Sequence, residues 1–127
     1  MKLRNLVAGV AALIAVAGST RSAWAVFITC TPIGVDSITA DASGATNRVH
    51  VECSAPTNDG GNNITFYAMP VKDAAAANRF LSLATTAITT GRTLAIEFTP
   101  GKSTDLTGAN FGCAAGNCRY VTSLVLR

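Results

Sequence analysis

"DAAAANRFLSLATTAITTGRTLAIEF", residues 73–98, changes its periodicity partway along. Asp73 is a good helix N-cap, a run of four alanines follows, and Gly91 stands where a helix turns into the left-handed conformation and stops. Between them Phe80, Leu83, Ala84, Ala87 and Ile88 recur at helical spacing and make one apolar stripe. The threonines near its end lower helix propensity, so packing must support the last turns. After Gly91 the period drops to two, with Leu94, Ile96 and Phe98 on one face. A helix over 73–91 leading into a strand over 92–98 is predicted, and the place of that helix among the strands decides the fold.

Working outward, residues 26–38 are rich in Val, Ile, Thr and Phe, with Pro32 and Gly34 as irregularities. "ADASGAT" (40–46) reads as a turn, and "RVHVEC" (48–53) alternates strictly, with Val49, Val51 and Cys53 opposite Arg48, His50 and Glu52. "SAPTNDGGNN" (54–63) is dense in turn formers and reads as a loop. "ITFYAMPV" (64–71) is a third strand, with Ile64, Phe66 and Ala68 on one face and Thr65, Tyr67 and Met69 on the other. Pro70 suits its end. A long polar segment (99–112) follows the fourth strand, then "FGCAAGNCRY" (111–120), and "RYVTSLVLR" is the last strand. The expected fold is mainly β with one helix, a five-stranded OB-like Greek-key barrel of order β-β-β-α-β-β. The alternative is an open α+β sheet with the helix across one face.

The run "ANRFLSLATTAITTGRTLAIEF", a helix passing through Thr-Gly into an alternating strand, resembles the pentameric B subunits of bacterial AB5 toxins of the pertussis, subtilase and typhoid type. Some of these also carry a C-x4-C pair near the C-terminus, as Cys113 and Cys118 do here. The resemblance covers roughly residues 76–118 and implies an exported OB-fold that binds glycans and assembles into rings. No glycan-contacting residue matches position by position, so none is transferred.

The N-terminus reads independently as a secretory leader. Lys2 and Arg4 precede an apolar run over 6–17, and Ala23-Trp24-Ala25 fits the small-residue cleavage pattern. The run is short for a membrane span. Residues 1–25 are therefore expected to be a signal peptide and 26–127 one disulfide-stapled domain, exported to the periplasm or secreted. The full chain has 10 Lys+Arg against 7 Asp+Glu, and the leader takes Lys2, Arg4 and Arg21 with it. The remainder is charge-balanced, which argues against a nucleic-acid partner, and no membrane association is expected after cleavage.

All four cysteines lie after the leader. In an oxidising compartment an even count reads as disulfides. Strands folding back about residues 40–46 bring Cys30 towards Cys53, which predicts Cys30–Cys53 and leaves Cys113–Cys118 as a local clip. Zinc would want a second close pair or histidines, and His50 is the single histidine; a redox pair is usually C-x-x-C. No metal and no cofactor are expected. "PGKST" (100–104) lacks the first glycine of a phosphate-binding loop, because that position is Ile96. No G-x-S-x-G or H-E-x-x-H occurs, and "NIT" (63–65) is a formal glycosylation sequon that matters in a eukaryotic pathway.

The expected function is a non-catalytic binding module, glycan- or protein-recognising and ring-forming. The alternative is a structural or inhibitory cell-envelope protein without a small-molecule ligand. In OB-folds ligands lie across strands 2 and 3 between flanking loops. Mapped here, that surface comprises Arg48, His50, Glu52, Thr65 and Tyr67, with Lys102 and Asp105 from the long loop. Intact-mass measurement on native material checks the premise beneath this reading: the expected chain starts at Val26 and carries no alkylatable thiol.

Overall fold

The computed structural model describes residues 24–38 and 47–127. The leader up to residue 23 and the turn expected over 40–46 lie outside the described residues. The elements are β1 (Val26–Cys30), β2 (Pro32–Ile38), β3 (Arg48–Asp59), β4 (Asn62–Pro70), α1 (Ala74–Thr90), β5 (Leu94–Phe98) and β6 (Cys118–Leu126). The described residues are mainly β with one helix. Its six strands form a curled sheet of order β1-β5-β6-β4-β3-β2. Neighbours are antiparallel except β4 and β6, which run parallel over Phe66–Ala68 and Cys118–Tyr120.

The strand count is six rather than five because the first stretch divides at Thr31. β1 pairs with β5 and β2 pairs with β3, so two strands separated by one residue occupy opposite edges of the sheet. The sheet must therefore curl until those edges approach each other at Thr31. At that corner Ser54 N donates to Thr31 O at 2.9 Å, and the Cys30–Cys53 disulfide joins β1 to β3 with a Cα–Cα distance of 5.3 Å. Cys53 lies opposite Pro32, so the predicted pairing follows directly from the β2–β3 register.

The segment 54–63, read as a loop, is a second correction. β3 runs on through Ser54 to Asp59, and the hairpin closes at Gly60-Gly61 with Asp59 opposite Asn62. Both glycines have positive φ (61° and 86°), the pattern of a two-residue type I′ turn, which glycine adopts without strain. The many turn formers here sit on an exposed strand whose ladder is interrupted between Glu52 and Thr57.

Helix α1 forms as its signals predict. Asp73 caps it by accepting from Ala76 N at 3.0 Å, and Gly91 ends it at φ 67° with its N–H on Ala87 O and Ile88 O. The buried stripe is Ala77, Phe80, Ala84 and Ala87, while Ile88 falls outside it and is exposed. The alanines allow close approach of α1 to β2, β3 and β6, which it packs against. Thr86, Thr89 and Thr90 return their hydroxyls to carbonyls one turn back.

The main core gathers Cys30, Val49, Val51, Cys53, Ile64, Tyr67, Phe80, Leu94, Ile96, Phe98 and Val121 with the helix alanines. Register shifts break simple alternation. In β4 both Ile64 and Tyr67 reach this core; in β6 the inward face passes from Val121 to Leu124 and Leu126 across the irregularity opposite Glu97/Phe98. Such bulges bend strands and re-aim side chains.

Arg119 is the charged residue this core encloses, with 2% exposure. Its Nε donates to Asp59 Oδ2, and its Nη1 donates to Ala115 O at 2.6 Å and Cys118 O at 2.8 Å. Asp59 Oδ2 also accepts from Gly101 N at 2.6 Å. One guanidinium thus ties together the β3–β4 hairpin, the loop after β5 and the loop before β6. Burial pushes the Asp59 pKa up, but the Gly101 amide and Arg119 outweigh it and hold the carboxyl below its ordinary value. Arg119→Met leaves that carboxylate without its cation, and a loss of about 3 kcal/mol is expected in urea unfolding. Adding Asp59→Asn is expected to restore about 1 kcal/mol by removing the uncompensated charge. An unchanged urea midpoint in Arg119→Met would show the pair to be energetically neutral.

Candidate functional site

Behind β3 and β4, on the side away from the main core, lies a second apolar cluster of Ala68, Phe111, Cys113 and Cys118, with Phe66 and Tyr120 packed against it. It exists because the polar segment after β5 folds back over the sheet. Asp105 organises that segment. Its Oδ1 accepts from Thr107 N (2.9 Å), Thr107 Oγ1 (2.6 Å) and Ala109 N (2.8 Å), and its Oδ2 accepts from Lys72 Nζ at 2.6 Å. Lys72 above all, with Thr107 and the two amides, holds the Asp105 carboxyl far below the usual carboxylate range against its own burial. Gly108 and Gly112 then supply positive φ (84° and 83°), and Phe111 drops against Tyr120 in a T-shaped contact with centroids 5.9 Å apart.

The clip follows. Cys113 and Cys118 are disulfide-bonded with Cα atoms 5.3 Å apart, and Ala114 O accepts from Asn117 N (3.2 Å) and Cys118 N (2.8 Å). Asn117 O accepts from both Thr65 N (3.1 Å) and Phe66 N (3.0 Å), so the loop adds to the edge of the ladder where β4 is irregular. Between this clip and the sheet is a surface hollow of about 230 Å³. The sheet contributes Arg48, His50 and Phe66; the loop contributes Gly112, Ala114, Asn117 and Cys118. Its walls are mostly apolar, with a few polar groups converging on them.

His50 is well held. Its side chain is 12% exposed, its Nε2 lies 3.1 Å from Oδ2 of Asp36, its cross-strand partner, and its ring meets Phe66 edge-on at 5.2 Å. Of the seven residues mapped from sequence, Arg48 and His50 line the hollow. Glu52 is half-buried opposite Gly34, and a Cβ on Gly34 would touch its Oε2 at 3.6 Å. Thr65 is half-buried with its amide on Asn117. Lys102 is half-buried, and its carbonyl accepts from Tyr120 N at 2.9 Å.

Tyr67 and Asp105 need correction, because neither stands on an open surface. Tyr67 has 0% exposure and packs against Phe98 in the main core, since the irregularity after Ile64 reverses the expected face. Burial pushes its pKa up, with Thr57 and Arg119 pulling weakly the other way. Asp105 is buried and fully engaged by its own loop; it also borders a separate hollow with Met69, Pro70, Lys72 and Tyr120. Phe66, an aromatic on the predicted third strand, also shapes the site, as does Asn117, which carries no sequence signal of that role.

Among the described residues no group of three or more His, Cys, Asp or Glu is placed to hold a metal ion, and no helix is long and apolar enough to cross a membrane. No family model, curated protein or solved structure matches this chain.

Asp105 makes the loop acid-sensitive. A carboxyl with a depressed folded-state pKa contributes fully above its ordinary value and loses that contribution as pH falls through the depressed one. Below about pH 4, amide exchange at Thr107 and Ala109, corrected for intrinsic rates, is expected to accelerate ahead of exchange in β3. Asp105→Asn is expected to show that acceleration already at neutral pH. Equal protection in variant and parent would remove Asp105 as the organiser.

Proposed function

We propose that the mature chain is a small exported, non-catalytic binding module whose ligand seat is the hollow between Phe66, His50 and the Cys113–Cys118 clip. The observation that carries this reading is the hollow itself: an apolar floor with a guanidinium, an imidazole and an amide side chain around it, set on β3 and β4. An aromatic edge beside a few hydrogen-bonding groups suits a sugar ring, which presents an apolar face and a polar rim. His50 is engaged by a carboxylate and an aromatic ring, an arrangement that orients a contact residue. The strand order, the parallel β4–β6 pair and the helix between β4 and β5 support an OB-type barrel with its first strand broken at Thr31. The seat then falls on the second and third strands of that barrel. Two disulfides support export to an oxidising compartment.

A second reading, as a ring-forming or envelope-contact protein, draws on Phe27 (61% exposed) and Val125 (45% exposed) on the outward face of β1, β5 and β6. A glycan array on the oxidised protein, with sedimentation on the same sample, tests both readings. The expected result is selective glycan binding, weakened about tenfold or more by His50→Ala and by Asn117→Ala. Silence across the array removes the glycan reading, and a strict monomer removes the ring.

A further inference from the structure

We propose that the Cys113–Cys118 disulfide is a redox-sensitive latch on the hollow: oxidised, it holds the wall in place; reduced, it lets the wall leave the sheet. This rests on reading the hollow as the ligand seat. Cys118 is the first residue of β6, fixed opposite Phe66, whereas Cys113 belongs to the incoming loop. The sulfur bridge carries the position of β6 across to Cys113, and through it to Gly112 and Phe111. Two of the four buried members of the cluster beneath the wall are the bridged cysteines themselves, and a third, Phe111, enters on the same loop. Without the bridge, Phe111 keeps its contact with Tyr120, and Gly112 N keeps its 2.8 Å bond to Asn110 Oδ1. That second bond is local to the loop and does not tie it to the sheet. The β6 side stays anchored by Asn117 O on β4 and Arg119 on Ala115 O. Release is thus confined to the side that walls the hollow.

The other disulfide differs in setting. Cys30 and Cys53 are members of the main core and close the corner at Thr31, so opening that bond requires disturbing the core itself. Cys113 and Cys118 are buried as well, at 5% and 4% exposure, but Cys118 borders the surface hollow rather than the main core, and a reductant approaches from there. The reductant is a dithiol. One thiolate attacks the Cys118 sulfur, the Cys113–Cys118 bond breaks, and Cys113 leaves as a thiolate that takes a proton. The second thiolate of the reductant then displaces Cys118, which is protonated in turn. Two electrons and two protons end on the protein, and the reductant departs as a cyclic disulfide.

Limited treatment of the native protein with dithiothreitol, followed by alkylation and mass mapping, tests this directly. Cys113 and Cys118 are expected to label about tenfold or more faster than Cys30 and Cys53. The amide of Asn117, bonded to Ala114 O inside the clipped loop, is expected to exchange about tenfold or more faster after that reduction, while Phe66, bonded to Asn117 O, and Val49 and Val51 in β3 stay protected. A Cys113→Ser/Cys118→Ser variant gives the same exchange pattern without reductant, which separates the latch from general unfolding. Simultaneous labelling of all four cysteines, or unchanged protection at Asn117, overturns the latch. Equal glycan binding before and after reduction overturns it while leaving the ligand seat intact. No binding by the oxidised protein sinks the ligand seat, and labelling and exchange then decide the latch without it.

Discussion

Thr31 separates two strands that lie at opposite edges of one sheet, and that connection constrains everything else. A sheet whose edge strands are joined by one residue cannot lie flat. β1 must reach β5 while β2 reaches β3, so the sheet curls around the main core. The corner is secured by the Thr31–Ser54 hydrogen bond and by Cys30–Cys53, a covalent tie where curvature is forced. For a domain of this size the apolar core alone leaves a modest margin, and the cross-link constrains the unfolded chain as well.

Curvature has a cost in regularity. The ladders shift at Pro32/Gly34, at Glu52/Thr57 and at Glu97/Phe98, and each shift breaks the alternation from which faces are read. Where no shift intervenes the pattern holds: Val49 and Val51 are buried, and Leu94 and Ile96 share the core. Where a shift does intervene the pattern misleads. Tyr67 lies an odd number of residues from Ile64, so strict alternation places it on the opposite face, yet both are enclosed together. The same geometry turns Arg119 inward, where the enclosed cation gathers Asp59 and Ala115 from separate loops.

The site is built on the outer side of this curled sheet by a segment with little secondary structure. Its order comes from polar satisfaction rather than apolar burial: one carboxylate, Asp105, takes two amides, a hydroxyl and an ammonium and so gives a polar stretch a single conformation. Only then do Phe111 and the cystine reach the sheet and wall a hollow against Phe66 and His50. Asp105, mapped from sequence onto an open surface, is instead buried and holds the loop that walls the hollow.

Local chemistry was enough to determine the helix from Asp73 to Gly91 and the alternation of 48–53 and 94–96, and it suggested the Cys113–Cys118 clip; the Cys30–Cys53 pairing also needed the antiparallel β2–β3 register. Caps and short periodicities act over a few residues or one turn. Tertiary structure alone decided the break at Thr31, the extension of β3 to Asp59, the inward Tyr67 and Arg119, and the meeting of Asn117 with Phe66. Each of these depends on where a bulge falls when distant strands close on one another, and a bulge is set by the fit of the whole curled sheet rather than by any residue within it.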